Sequence, residues 1–129
     1  HLLKLAKEEA NMFFAHHNPL LISQQMPNRP DVIITDGENP VAWYINGLQG
    51  ITETPHSQKI VDTTGAGDAF LAGLISKFIS SGYPSDKLDI ENCINFANVC
   101  GLLTCLGEGA IEQQPDYEKV NNFLGSLIS

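Results

Sequence analysis

Val61-Asp62-Thr63-Thr64-Gly65-Ala66-Gly67-Asp68-Ala69-Phe70 is the stretch whose reading decides the fold. A strand-like lead-in runs through a Gly-Ala-Gly turn into an apolar helical pattern from Ala69 to Ile79. The free N–H groups of the first helical turn then point at whatever lies ahead of them. Such a turn is an anion hole. Gly65 and Gly67 let the backbone approach a phosphate without a Cβ in the way, and the helix dipole adds positive potential where charge builds during phosphoryl transfer. Asp68 needs its own reason, because a carboxylate beside a bound phosphate repels it. A general base has one: it accepts the proton of an attacking hydroxyl and orients that oxygen for in-line displacement. The residues alone leave a second reading open, in which Asp68 is a helix-start carboxylate favoured by the dipole and the glycines serve only the turn.

Two other nucleotide signatures fail. The phosphate loop GxxxxGK[ST] needs a Gly-Lys pair, which the chain lacks, and the dinucleotide fingerprint GxGxxG has Phe70 where its third glycine belongs.

Upstream of the turn, Val32-Ile33-Ile34-Thr35 is a β-branched run between Pro30 and Asp36-Gly37, the profile of a buried strand ending in a turn. Val41 to Ile45 makes a second strand, Asn46-Gly47 is a hairpin signal, and Ile51 to Thr54 and Lys59 to Val61 supply further short strands. His1 to Ala15 fits a helix, or a short buried strand feeding one; periodicity does not separate these. His16 to Pro30, polar and holding Pro19, Pro27 and Pro30, reads as a connection. Ala69 to Ile79 is apolar nearly all round, which suits a helix buried between other elements and ended by Gly82 and Pro84. Asp89 is the expected N-cap of a second helix through Cys93, Phe96, Ala97, Cys100 and Leu103. After Gly107 and Gly109, Pro115 opens a terminal amphipathic helix through Leu127.

The 129 residues hold 7 basic and 15 acidic side chains, a net charge of −8. With no basic run, nothing grips a nucleic acid polymer or an anionic membrane face. The chain is 43% hydrophobic and 17% charged, a globular balance, and its apolar stretches break before the roughly 18 residues a membrane span needs. An intracellular protein is the resulting expectation. Cys93, Cys100 and Cys105 contain no CxxC pair and read as buried structural thiols. His16 and His17 read as solvent-exposed, His56 has no evident partner, and Trp43 and Tyr44 read as packing residues. The chain starts at His1 within what reads as a structured element, so it is expected to be a piece of something longer.

Asp62 to Phe70, followed by Ala72-Gly73-Leu74, resembles the C-terminal signature of the ribokinase-like, or PfkB, sugar kinases, and within them the fructokinases. Lys4 to Phe14 resembles the family's strand-to-helix segment with an acidic residue, and Val32 to Glu38 its Thr-x-Gly strand end. Ala97-Asn98 through Gly109-Ala110-Ile111 to Pro115 resembles its adenine-side helix and closing loop. The resemblance implies an α/β chain forming the C-terminal part of a three-layer α/β/α fold, strands and a hairpin followed by three helices. Residues 1–129 would be the nucleotide-binding and catalytic portion, with the sugar-binding half and lid lying upstream.

It also implies roles. Asp68 would be the catalytic base, and the N–H groups of Gly65, Ala66 and Gly67 would stabilise charge on the γ-phosphate of ATP. Thr35, Gly37 and Thr64 would bind the nucleotide, the first two beside its phosphates, and Asn98 would lie near the adenine. Glu9 matches the acidic end of an Asn-x-x-Glu element associated with Mg2+ and phosphate positioning, although Ala6 stands where the Asn often is. Asp62 and Thr64, with carbonyls around Thr104 and Gly109, match a site for a monovalent cation such as K+. The implied activity is phosphorylation of a sugar hydroxyl, fructose first, with ribose, nucleoside or keto-sugar-acid acceptors and a non-catalytic nucleotide-binding module as alternatives. The implied whole protein is a homodimer of the cytoplasm or a plastid. The 129 residues alone would lack the acceptor site and expose a cut sheet edge, so they are expected to be weakly active at best and aggregation-prone.

Overall fold

The computed structural model describes residues 1–55 and 65–105. Its first element, β1 (Leu2–Ala6), runs parallel to β2 (Asp31–Asp36), with Leu3 opposite Val32 and Ala6 opposite Thr35. The N-terminal segment is therefore a strand feeding a helix, α1 (Lys7–Phe14), which settles the ambiguity left by its periodicity. Ala15, in the left-handed conformation at φ 64°, ends α1.

The segment read as a plain connection contains a second helix, α2 (Pro19–Gln25). Asn18 caps it, its side chain accepting the Leu21 N–H at 3.2 Å, and Pro19 fills the first helical position, where its missing N–H costs nothing. A parallel pair needs a crossover of this kind, and α1 and α2 supply it.

From β2 the chain turns at Gly37, at φ 58°, into β3 (Asn39–Ile45), antiparallel to β2. Asn46 and Gly47, both at positive φ (52° and 79°), make the tight turn into β4 (Leu48–Thr52), so the Asn-Gly signal reads correctly. The sheet order is β1-β2-β3-β4.

Successive residues of β2 face opposite sides. Val32 and Ile34 join Leu5, Ala10 and Ile22 under α1 and α2, whereas Ile33 joins Val41, Trp43 and Ile45 on the other face. That second face packs against Phe70, Leu74, Ile90, Cys93, Ile94 and Ala97 from α3 (Ala66–Ser81) and α4 (Lys87–Cys105). The result is the expected three-layer α/β/α arrangement, with α1 and α2 placed between β1 and β2 rather than after the strands. Trp43, 1% exposed, is a packing residue as read, its indole N–H donating to Thr52 Oγ1 at 3.0 Å.

Helices α3 and α4 run antiparallel at close range. Gly73 and Gly101 permit this: a Cβ on Gly73 would stand 2.7 Å from Cys100 Sγ, and one on Gly101 3.1 Å from the Ala66 carbonyl oxygen. Two expectations are corrected. Asp86, not Asp89, caps α4, its Oδ1 accepting the Asp89 N–H at 2.8 Å; Asp89 falls in the first turn, where the dipole favours it. And α3 is not enclosed all round, since Leu71, Ile75 and Ile79 form an exposed stripe on the face turned from the sheet.

At the far end from the Gly65 turn, the Tyr83 hydroxyl donates to Asp31 and the Asn46 side chain donates to the Ser85 carbonyl at 3.0 Å. These bonds tie the α3–α4 loop to the sheet. The expectations for His56, the strand Lys59 to Val61, Asp62, Thr64, Gly109 and the terminal helix lie outside the described residues. Among the described residues, no helix is long and apolar enough to cross a membrane.

Candidate active site

Gly65 is the N-cap of α3 and stands at φ 84°, ψ −2°. A side chain there would carry a left-handed backbone penalty, which explains the glycine independently of any ligand. It also leaves the helix without a side-chain cap: no cap hydrogen bond forms, and the first intrahelical bond runs from the Ala69 N–H to the Gly65 carbonyl at 2.9 Å. The N–H groups of Ala66, Gly67 and Asp68 therefore have no partner among the described residues and form a ready anion site. The helix begins three residues earlier than its apolar pattern suggested, so Ala66 and Gly67 belong to the first turn rather than to a loop before it.

Asp68 is exposed in that same turn. That exposure leaves the carboxylate open to solvent, and its position in the first turn suits the helix dipole. Ala69 and Phe70, next in sequence, are 6% and 4% exposed and anchor the turn to the core.

Of the other predicted residues, Thr35, Gly37 and Glu9 fall at the carboxyl ends of the parallel strands, where open α/β sheets bind ligands. Thr35 ends β2 opposite Ala6 of β1, and Gly37 lies in the following turn. Glu9 starts α1 and accepts the Ala6 N–H through Oε1 at 2.8 Å. An Asn at position 6 could return that bond; Ala6 cannot, so half of a reciprocal cap remains. Lys7 pairs with Asp36 at 3.6 Å, both partly exposed, which ties α1 to the end of β2. Thr104 reaches the site from α4, its Cγ2 lying 3.8 Å from the point a Gly65 Cβ would occupy. Asn98, 6% exposed, donates to the Glu53 carbonyl at 3.4 Å and joins α4 to the segment after β4.

Reading the residues missed Lys4. Its Nζ lies 3.6 Å from the point a Gly67 Cβ would occupy, at the lip of the anion site. The available signal was a lone lysine inside the apolar run Leu2-Leu3-Lys4-Leu5.

The thiols behave as read where they are described. Cys93 and Cys100 are free and buried, and burial raises both, Cys100 to about 11. A thiol held protonated in this way is a poor nucleophile. Among the described residues, no group of three or more His, Cys, Asp or Glu is placed to hold a metal ion.

Fold and site together define an α/β/α domain with an uncapped helix start and an exposed carboxylate at the carboxyl ends of its parallel strands. Residues 1–116 match the model of the pfkB family carbohydrate kinases, and the chain belongs to that family. It is 29% identical over 134 residues to probable fructokinase-7 of Arabidopsis thaliana, a match that takes in 99% of this chain and 39% of that protein. Its fold matches the fructokinase of Xylella fastidiosa with bound ATP at a TM-score of 0.80 and 26% identity, covering 99% of this chain and 43% of the other. The fructokinase of Vibrio cholerae O395, in a form with fructose, ADP and calcium ion bound, matches at 0.74 and 27%, covering 95% and 40%. The chain thus spans about two-fifths of the length of these relatives.

Proposed function

We propose that the chain is the nucleotide-binding and catalytic portion of a kinase that transfers the γ-phosphate of ATP to a sugar hydroxyl, with fructose as acceptor. The observation that carries this reading is the start of α3, where N–H donors free of any described partner and the exposed Asp68 share one helical turn. Membership of the pfkB family and the run of fructokinases among its relatives support it.

In the proposed reaction the sugar hydroxyl gives its proton to the Asp68 carboxylate as its oxygen bonds to the γ-phosphorus. The bond from that phosphorus to the β,γ-bridging oxygen breaks, and ADP leaves. The N–H groups at Gly65, Ala66 and Gly67 hold the charge spreading over the transferring group, and they need no reorganisation to do so. In this reading Thr35, Gly37 and Thr64 would bind the nucleotide, the first two beside its phosphates, and Asn98 would lie near the adenine.

Magnesium fits as an ion carried by the nucleotide. Among the described residues no group of carboxylates is placed to hold the ion, and Glu9, one of whose oxygens accepts the Ala6 N–H, would act on it only indirectly. When bound, Mg2+ neutralises the phosphate oxygens. Asp62 and Thr64, with the Thr104 and Gly109 carbonyls, remain our assignment for a monovalent cation such as K+. We assign the acceptor half and lid to sequence upstream of His1, and a homodimer to the whole protein. The compartment is the cytoplasm or a plastid, where a reducing milieu suits the free thiols Cys93 and Cys100.

The test is ATP-dependent phosphorylation of a panel holding fructose, ribose, nucleosides and keto-sugar acids by the full-length protein carrying this chain, repeated with Asp68→Asn. Turnover should be highest on fructose and fall by roughly 10²–10⁴-fold in the mutant, with ATP binding retained. Unchanged turnover in Asp68→Asn refutes the base, a different preferred acceptor refutes fructose, and ATP binding without turnover on any acceptor leaves a nucleotide-binding module.

A further inference from the structure

The Asn46-Gly47 turn is held from outside its own hairpin. Asn46 is exposed and stands at φ 52°; its backbone N–H donates to Asp31 Oδ1 at 3.0 Å, and its side-chain Nδ2 donates to the Ser85 carbonyl at 3.0 Å. The second oxygen of Asp31 accepts the Tyr83 hydroxyl. Three bonds thus form one clamp between the hairpin tip, the start of β2 and the loop that joins α3 to α4. Tyr83 and Ser85 are two residues apart in that loop, so lifting the loop off the sheet breaks both of its bonds together.

An asparagine followed by glycine carries a chemistry of its own, which makes Asn one of the thermally labile residues. The Gly47 amide nitrogen attacks Asn46 Cγ: the N–Cγ bond of a five-membered succinimide forms, the Cγ–Nδ2 bond breaks, and the Gly47 amide proton leaves with the amine as ammonia. Water then opens the ring at one carbonyl or the other, giving aspartate or isoaspartate. Gly47 has no side chain to obstruct the attack, and no described atom lies within 4 Å of the point its Cβ would occupy. The obstacle is conformational. To bring Cγ to the Gly47 nitrogen, the Asn46 side chain must let go of the Ser85 carbonyl, and a turn fixed by the pairing of β3 with β4 must unwind.

We propose that Asn46 is a deamidation site gated by this clamp, and that its conversion releases the α3–α4 loop from the sheet in one direction only. In the aspartate product an acceptor oxygen replaces Nδ2 opposite the Ser85 carbonyl, where two acceptors repel, and a new negative charge joins the Asp31 carboxylate at the same spot. In the isoaspartate product the main chain gains a methylene, so the two-residue turn no longer fits the register that pairs Ile45 with Leu48 and sets Gly50 against the Trp43 ring. Neither product reverts, because the ammonia has left. The site lies at the far end from the start of α3 and is independent of the kinase reading.

The experiment incubates the full-length protein carrying this chain at mildly alkaline pH, folded and in guanidinium chloride, and follows the amide-to-acid mass change of the Asn46 peptide by mass spectrometry. Wild type is compared with Tyr83→Phe at a temperature where both are folded; that variant loses the bond to Asp31 and keeps the ring contact with Phe78, centroids 4.9 Å apart. Wild type should convert in denaturant, and at least about tenfold more slowly when folded, as chemistry confined to a locally opened state does. Folded Tyr83→Phe should convert about 2–10-fold faster than folded wild type, the change in open population that one lost hydrogen bond gives. The deamidated fraction and the variant Asn46→Asp should both melt about 2–4 °C or more below wild type, with faster amide exchange across the α3–α4 loop. Absence of conversion at Asn46 in denaturant overturns the site. Equal rates in folded and unfolded protein, or in wild type and Tyr83→Phe, overturn the gate, and a deamidated fraction that melts and exchanges like wild type overturns the release.

Discussion

Gly73→Ala tests whether the separation of α3 and α4 is fixed by contact. The new methyl would stand 2.7 Å from Cys100 Sγ, 3.0 Å from Cys100 Cβ and 3.3 Å from the Ala97 Cα. Non-bonded heavy atoms rest at about 3.5–4.0 Å, so the sulfur overlap approaches 1 Å. Cys100 could turn its sulfur aside, but its Cβ and the Ala97 backbone move only if α4 moves. Overpacking of this kind costs about 1–3 kcal/mol. Against it stands the gain from replacing a mid-helix glycine by alanine, about 1 kcal/mol. The contact should win, leaving a net loss of about 1 kcal/mol and at most about 2, read as a lower denaturant midpoint at constant slope. Cys100→Ala in the same chain removes the closest contact, so the double mutant should be less damaged than the sum of the single mutants by at least about 0.5 kcal/mol. A stabilised Gly73→Ala, or strict additivity with Cys100→Ala, would show that the helices part freely, and the close-contact account of α3 and α4 would be wrong.

Two further outcomes follow from the same packing and burial. At Gly65 the constraint is φ 84° and not space, since the nearest atom to an added methyl is Thr104 Cγ2 at 3.8 Å; Gly65→Val should therefore lose about 1–2 kcal/mol and most turnover, with Gly65→Asn milder on both counts, and equal damage from the two would refute the backbone argument. Burial raises Cys100 from an ordinary 9.0 to about 11, so the unfolded chain releases that proton first as pH rises. Stability is then intact below pH 9 and falls by about 1.4 kcal/mol per pH unit from there to pH 11. Cys93 is raised in the same direction and adds to the slope. Denaturation of Cys100→Ala across that range should show a shallower fall than wild type, and an identical slope would place the titration elsewhere.

What is legible in the sequence is whatever a local rule fixes. Asn46-Gly47 specifies its turn because both residues must take positive φ, and Val32 to Thr35 specifies a strand buried on both faces because its run is β-branched throughout. The start of α3 is legible for the same reason: Gly65 takes a positive φ at the N-cap and Asp68 falls in the first turn. Where two local signals compete, the reading slips. Pro19 beside Asn18 reads as a loop breaker, although a proline after a capping residue is also how a helix begins, and α2 is lost. Asp86 and Asp89 are both plausible caps, and only the bond between them shows which caps and which is capped. Lys4 is illegible for a different reason. Nothing near it in sequence marks it; its meaning comes from α3, far along the chain, folding over β1.

That long-range placement also resolves a conflict in the charge. A chain at −8 should repel a nucleotide phosphate if net charge governed binding. Screening at physiological ionic strength cuts the reach of surface charges to about 8 Å, so the ligand responds to what lies within one or two side chains of it. Within that radius of the α3 start the fold gathers peptide N–H groups and the Lys4 ammonium. Glu9, the acidic residue of the α1 start assigned toward the phosphates, has one oxygen occupied by the Ala6 N–H. Asp68 is the negative group that stays in the turn itself, and it alone has a proton to accept in the proposed reaction. The acidic surplus elsewhere keeps the surface repulsive toward polyanions, which carry many phosphates over lengths no single helix start can neutralise. In the proposed reading, selectivity for a small phosphorylated ligand over a nucleic acid polymer follows from the contrast between an acidic surface and the N–H groups gathered at the α3 start.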